Sequence, residues 1–154
     1  NGKATSWARS GKQFQTLQKV EEEIEAMNLK SVVFDGEMCI LDENGNEDFQ
    51  RCMKQIRRKD HTITNGQYLI FDMLTLSDFQ TGTSDDTFIT RLSQLNKVID
   101  PRALFLCIHP QELVRDDSHL QEWRQRSQNE AWEGLMLRLD VPYKGMMRSI
   151  VSKM

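Results

Sequence analysis

The sequence has no apolar run near the ~20 residues that a membrane-spanning helix needs, and its amino terminus lacks a signal-peptide pattern. It has only three cysteines, Cys39, Cys52 and Cys107, and no C-x-x-C or H-x-x-x-H spacing typical of metal sites. Each cysteine lies among apolar neighbours, as reduced core thiols do. We therefore predict an intracellular protein, cytoplasmic or, in a eukaryote, nuclear.

A strong charge of either sign is also missing. The 154 residues carry a net charge of -3 with a pI near 5.6, so any nucleic-acid binding must come from a local basic patch. No repeat, low-complexity tract or linker divides the sequence. Its length suits one domain with a real core, and we interpret residues 1–154 as a single domain.

Apolar periodicity predicts a fold in which helices and strands alternate. Apolar residues recurring every three or four positions predict helices over 12–29, 49–56, 88–98 and 116–130. Apolar, β-rich runs predict strands over 4–9, 31–42, 68–74, 103–109 and 133–140, and 77–86 is predicted to be a polar loop. The Asn44-Gly45 pair is a hairpin signal and argues against a purely parallel sheet. The predicted fold class is mixed α+β, with largely antiparallel sheets flanked by helices.

Two of the predicted strands contain charges and a glycine within an apolar run. The first is Phe34-Asp35-Gly36-Glu37 in SVVFDGEMCILD, and the second is Glu133-Gly134 at the start of EGLMLRLD. A carboxylate is expensive to bury unless a partner or a metal compensates it. Taken singly, each glutamate is better explained as a solvated strand end. If both strands end at one edge, the two glutamates are aimed at one spot, and paired carboxylates suit Mg²⁺.

Four segments in this order, SVVFDGEMCILDENG, YLIFDML, WEGLMLR and RSIVSKM, resemble motifs of the ATP-dependent DNA ligases. These enzymes are covalent nucleotidyltransferases, like the RNA ligases and the mRNA capping enzymes. WARSGKQF near the start resembles the family's S-R-x-G segment, with Ala8 in place of the serine. The resemblance implies a partial nucleotidyltransferase (adenylation) domain with an ATP-grasp-like fold. It also implies ATP and Mg²⁺ as cofactors and nicked double-stranded DNA as the partner.

The resemblance further implies roles for individual residues. Glu37 would hydrogen-bond the ribose of the bound nucleotide, and Phe71 would stack on the adenine. Glu133 would bind the catalytic metal, with Glu37 as a second carboxylate. Arg9 would hold a phosphate of AMP or of the nick, and Lys153 would contact the α-phosphate. The competing interpretations are a core position for Phe71 and a solvated lysine at position 153.

The family's nucleophile is a lysine in a K-x-D-G motif, and this sequence contains no such motif. Because that motif lies shortly before the S-R-x-G segment in the family, we expect the lysine upstream of Asn1. The second lysine of the family's closing K-x-K and the OB-fold domain that follows it are likewise not among the 154 residues. We interpret the chain as a ligase fragment that does not adenylylate itself. An RNA ligase or capping-type enzyme, or a non-catalytic nucleotide- or nick-binding module, are the alternatives.

A basic stripe is the only nucleic-acid signal in the sequence. Arg51, Lys54 and Arg58 recur at helical spacing, with Arg57 and Lys59 adjacent. Such a face could follow a phosphate backbone, although most charged faces are simply solvated. Because the resemblance favours DNA, we predict that Arg51, Lys54 and Arg58 bind it.

Overall fold

The computed structural model describes residues 2–145 and, as backbone, 151–153. The helices in this part of the chain are α1 Gln18–Ala26, α2 Phe49–Ile56, α3 Leu76–Thr81, α4 Phe88–Val98 and α5 Asp117–Asn129. The strands are β1 Val32–Ile40, β2 Gly66–Thr75, β3 Thr83–Thr87, β4 Leu106–Ile108, β5 Met136–Arg138, β6 Pro142–Lys144 and β7 Val151–Lys153. Within the same residues, no helix is both long and apolar enough to cross a membrane.

The largest sheet has the strand order β1-β2-β4. β1 pairs antiparallel with β2, and β4 pairs parallel with β2. Two smaller antiparallel pairs are formed by β3 with β6 and by β5 with β7. These pairings confirm the predicted mixed α+β class with largely antiparallel sheets.

The turn after β1 does not lead into a neighbouring strand. The Asp42 N–H donates to the Asn46 carbonyl at 2.7 Å, which closes the turn predicted at Asn44-Gly45. The chain then enters α2, whose first turn is capped by the Asp48 carboxylate accepting from the Arg51 N–H. The Asn44-Gly45 pair therefore marks a real turn. It does not form a hairpin of two long strands, because β1 pairs with β2.

The pairing of β1 with β2 is interrupted by one extra residue in β2. Asp35 lies opposite Asp72 and Gly36 lies opposite Ile70, so Phe71 is the extra residue of a β-bulge. Bulges bend a strand and redirect a side chain, and they are common next to functional sites.

Gly36 is required where β1 crosses the Tyr68 ring. A Cβ at this position would overlap the Leu69 carbonyl oxygen and lie 2.9 Å from the Tyr68 ring. The Tyr68 hydroxyl donates to the Phe34 carbonyl at 3.0 Å, which holds the ring against the glycine. The glycine of FDGE thus allows close packing between strands.

The core lies between the three-stranded sheet and the helices that cover it. Ile40, Ile70 and Leu95 are fully buried there, and the cluster around them contains Leu17, Val20, Cys52, Ile63, Met73, Ile99 and Leu106. The three cysteines are free, and Cys39 and Cys52 are buried as predicted. Burial of each large aliphatic side chain stabilises the fold by about 1.5–3 kcal/mol.

The first predicted helix is shorter than its apolar pattern, because α1 begins only at Gln18. The preceding segment turns back on itself through an isolated bridge between Trp7 and Gln13, which is all that forms of the predicted strand over 4–9. The Thr16 carbonyl accepts from the Ile63 N–H at 2.9 Å, so this segment bonds to a distant part of the chain. Long-range hydrogen bonding here overrides the helical pattern.

The predicted polar loop over 77–86 is wrong, since it contains most of α3 and β3. Thr75 caps α3 by accepting from the Asp78 N–H, and Gly82 ends it with φ +75°. β3 then pairs with β6, a strand that the sequence did not predict. The other predicted helices agree with α2, α4 and α5 within a few residues.

Candidate functional site

The acids of FDGE lie on one face of the largest sheet. Asp35 and Glu37 are two residues apart in β1 and both are exposed, whereas Ile40 points into the core. Glu37 lies opposite Leu69 of β2. This face is open to solvent at Asp35 and Glu37, although Asp72, opposite Asp35, is buried.

Glu47 joins Glu37 and Glu133 in one acidic group. Partial desolvation of the Glu47 carboxyl raises its pKa, and the negative charges of Glu37 and Glu133 raise it further, while His109 opposes them. The charges of the two predicted glutamates therefore act on the same carboxyl, although the residues are 96 positions apart in the sequence. Sequence reasoning missed Glu47. Its signal was the Asn44-Gly45 turn, which returns the chain so that Glu47 bridges to Leu41.

Glu133 itself is not in a strand, contrary to the prediction for 133–140. β5 starts only at Met136, because Gly134 has φ +146°, a conformation that L-residues avoid. Glu133 lies in an exposed loop after α5, where the Trp132 N–H donates to the Ser127 carbonyl at 2.9 Å. Together with Trp132 and Leu135 it lines a groove of about 500 Å³ beside α5.

Phe71, the bulge residue, lies beside one imidazole ring and one guanidinium group. Its ring centroid is 5.3 Å from that of His109, in an edge-on arrangement. The guanidinium carbon of Arg138 lies 5.9 Å from the Phe71 centroid. The half-buried ring therefore borders the open face of the sheet and is not sealed in the core.

A buried charge network adjoins Phe71 on the same strand. Asp72 accepts two hydrogen bonds from Arg91 of α4, at 2.8 and 2.9 Å, and both side chains are less than 10% exposed. Arg138 of β5 lies 3.8 Å from the second Asp72 oxygen. Sequence reasoning missed all three residues, although Asp72 in YLIFDML is a charge within an apolar run, the signal that drew attention to FDGE.

Arg9 lies near this network, at the tip of the turn that precedes α1. Partial desolvation raises the pKa of Asp35, and the charges of Arg138 and Arg9 oppose that shift. Arg9 is exposed, and the turn that presents it closes through a hydrogen bond from the Gly11 N–H to the Ala8 carbonyl. Arg9 is therefore within electrostatic range of the FDGE strand.

The model of one protein family, described as the ATP dependent DNA ligase domain, matches residues 2–153. The chain belongs to this family. No curated protein sequence matches it.

Two similar structures are named Pmar-Lig_PreS3 and Pmar-Lig_Pre., with TM-scores of 0.84 and 0.82. Both are 23% identical to this chain and cover 99% of it, and the chain spans 37% and 38% of theirs. The ATP-dependent DNA ligase from bacteriophage T7 in complex with ATP has a TM-score of 0.67 at 15% identity, with 94% and 54% coverage. These neighbours share the fold of this ligase-domain chain.

The basic stripe of Arg51, Lys54 and Arg58 is exposed, but α2 ends before Arg58, the last residue of the stripe. α2 stops at Ile56, so Arg58 lies just beyond the helix, whereas Arg51 and Lys54 are within it. Among the described residues, none of the ion pairs involves these three cations. Lys54 instead lines a shallow surface groove with Arg57 and three neighbours, Phe49, Gln50 and Met53.

Lys153 is described only as backbone. It pairs with Met136 of β5 through β7, while its side chain lies outside the described residues. Its place opposite the start of β5 puts its backbone in the strand pair that follows the Glu133 loop. The role of Lys153 thus stays a prediction.

Proposed function

We propose that this chain forms part of the adenylation domain of an ATP-dependent DNA ligase. The intact enzyme would move AMP from ATP to a lysine, then to a 5′-phosphate, and then seal the nick with the 3′-hydroxyl. The observation that carries the proposal is the family match over residues 2–153, together with the Phe71 ring beside His109 and Arg138 in the strand that pairs with the FDGE strand. A DNA substrate also favours the intracellular location, nuclear in a eukaryote.

In this proposal the open face of the sheet binds the nucleotide. Glu37 accepts hydrogen bonds from the ribose hydroxyls, and Phe71 offers apolar area and a π-face to the adenine. Arg9 and Lys153 approach the phosphates. Their role is electrostatic, because attack on the α-phosphate places negative charge on its non-bridging oxygens, which fixed cations stabilise.

Glu133 and Glu37 are the proposed Mg²⁺ ligands. Within the part of the chain that the structure describes, no cluster of three or more acidic, histidine or cysteine side chains is arranged to hold a metal. The donors nevertheless fit, because Mg²⁺ prefers carboxylate oxygens and uses only one or two of them, with water and phosphate completing its shell. When bound, the metal would neutralise phosphate charge.

Nucleotide binding is the direct test of the proposed function. Calorimetric titration of the chain with ATP and Mg²⁺ should show saturable binding that Phe71→Leu weakens, because leucine cannot stack on the base. Arg102→Met is the matched control, since Arg102 is 88% exposed and pairs only with Asp100 among the described residues. Equal binding by all three proteins would refute the adenine-stacking role.

Self-adenylylation is a separate question, because the 154 residues contain no K-x-D-G motif. We propose that they gain no AMP on incubation with ATP and Mg²⁺, whereas a longer ligase that carries the motif gains one. Intact-mass spectrometry of both proteins measures this directly. An adduct on residues 1–154 would contradict the fragment interpretation, and no adduct on the longer form would favour a non-catalytic binding module.

The α2 surface is the proposed contact with nicked double-stranded DNA. Removing one phosphate-binding cation lowers the slope of log affinity against log salt by about 0.9. The triple change of Arg51, Lys54 and Arg58 to glutamine should therefore flatten the slope by about 2–3 if all three bind phosphate. Fluorescence anisotropy with a nicked duplex at several salt concentrations measures the slope, and an unchanged slope removes α2 from the interface. A nicked RNA duplex in the same assay tests the RNA-ligase alternative.

A further inference from the structure

Arg138 occupies the point where the charge network meets the Phe71 ring. Its guanidinium carbon is 5.9 Å from the Phe71 centroid and 5.0 Å from the Phe88 centroid. Both distances are within the ~6 Å range of cation–π attraction. The side chain is only 22% exposed, so solvent screens these contacts less than it would on an open surface.

The ion pair of Arg138 with Asp72 is longer than that of Arg91. Arg91 already occupies both Asp72 oxygens with short hydrogen bonds, while the nearest Arg138 nitrogen stays at 3.8 Å. The Arg138 guanidinium therefore shares the Asp72 carboxylate with Arg91 and also faces the two aromatic rings.

The Phe71 ring needs a constraint of this kind. As the extra residue of the bulge, Phe71 lies opposite no single residue of β1, so cross-strand pairing does not fix its side chain. His109, the residue after β4, contacts the Phe71 ring, and Arg138 of β5 contacts it as well. Together these contacts limit the directions in which the ring can turn.

We propose that Arg138 is a positioning residue for Phe71, and that its cation holds the ring in the orientation that a nucleobase stacks on. This inference rests on the proposed function, because it assigns Arg138 to the same nucleotide site. Arg138 acts here through the ring and touches neither the phosphates nor the metal. It adds a specific device for base binding that the sequence motifs did not indicate.

Adenosine is the decisive probe, because it has the base but no phosphate. Arg138→Met keeps apolar volume and removes the charge, and it should weaken adenosine and ATP binding alike by about threefold to tenfold. Arg138→Lys keeps a cation and should recover part of that affinity. Arg102→Met serves again as the control and should bind both ligands as the unchanged protein does.

A double-mutant cycle with Phe71→Leu separates positioning from general stability. If Arg138 acts through the aromatic ring, Arg138→Met should change adenosine affinity little once Phe71 is leucine. Melting temperatures of all four proteins accompany the titrations. If Arg138→Met does not fold, the same cycle is run with Arg138→Gln, which also removes the charge.

The outcomes distinguish the two proposals. Loss of ATP binding with normal adenosine binding would assign Arg138 to phosphate and overturn its positioning role, as would effects that simply add in the cycle. In both cases the proposed nucleotide site survives. If the unchanged protein binds neither ligand, the proposed function fails and the positioning role fails with it.

Discussion

Replacing Asp72 by asparagine tests the buried charge network that supports the site. The change keeps the size of the side chain but leaves Arg91 without its anionic partner, in a place where both side chains are less than 10% exposed. Breaking a buried, hydrogen-bonded pair of this kind destabilises a fold by about 3–5 kcal/mol. In a chain of this length each kcal/mol lowers the melting temperature by about 2–4 °C. The expected decrease is therefore roughly 6–20 °C.

Differential scanning calorimetry measures this decrease, with Arg102→Met as the control for an exposed ion pair. The control should leave the melting temperature unchanged, because surface pairs contribute little. Replacing both partners, Asp72 by leucine and Arg91 by methionine, should recover most of the stability, since no uncompensated charge is then buried. If Asp72→Asn melts within about a degree or two of the unchanged protein, the Asp72–Arg91 pair does not stabilise the fold as expected.

Two further predictions concern the packing between β1 and β2. Gly36→Ala should destabilise the fold by about 1–3 kcal/mol, because its Cβ overlaps the Leu69 carbonyl. Gly2→Ala, which has open space around the added Cβ, should have no effect. Equal melting temperatures of the two variants would contradict this packing. Burial raises the pKa of Tyr68 above its ordinary 10.0, and the charge of Asp35 adds to the shift. The folded chain thus keeps this phenol protonated when the unfolded chain has released the proton, so stability should fall as the pH rises beyond 10, and less so in Tyr68→Phe. An identical pH dependence of melting in both proteins would show that Tyr68 does not contribute.

The fold class and most elements could be predicted because their signals are local. Helices α2 and α4 follow their apolar spacing, and β1 and β2 follow their β-rich runs. β3 could not be predicted, because Thr83–Thr87 has no apolar alternation and becomes a strand only by pairing with β6, over fifty residues later. The start of α1 was wrong for a similar reason, since Thr16 bonds to Ile63 and not along a helix.

The motif residues of the site could be predicted from the sequence, but their partners in space could not. Glu37 and Glu133 were identified as a pair, whereas the third carboxylate, Glu47, was missed, because the Asn44-Gly45 turn indicates where the chain reverses and not which charges act on Glu47. Arg91 looks like an ordinary helix residue until the fold places it against Asp72. Such partners come from segments far apart in the chain, so only the tertiary structure reveals them.

The charges in the apolar strands now have a physical explanation that differs between the two ends of the site. Asp35 and Asp72 lie directly opposite each other, an arrangement that repels by itself. Arg91 offsets this repulsion at Asp72, and Arg138 offsets it at both acids.

At the other end, partial desolvation raises the pKa of Glu47, and the negative charges of Glu37 and Glu133 raise it further. The acidic end contains Glu37 and Glu133, the proposed Mg²⁺ ligands, and the arginine end contains Phe71, the ring proposed to stack on the base. Arg138 thus offsets the charge of Asp35 at one end of the FDGE strand, and Glu37 at the other end belongs to the acidic group.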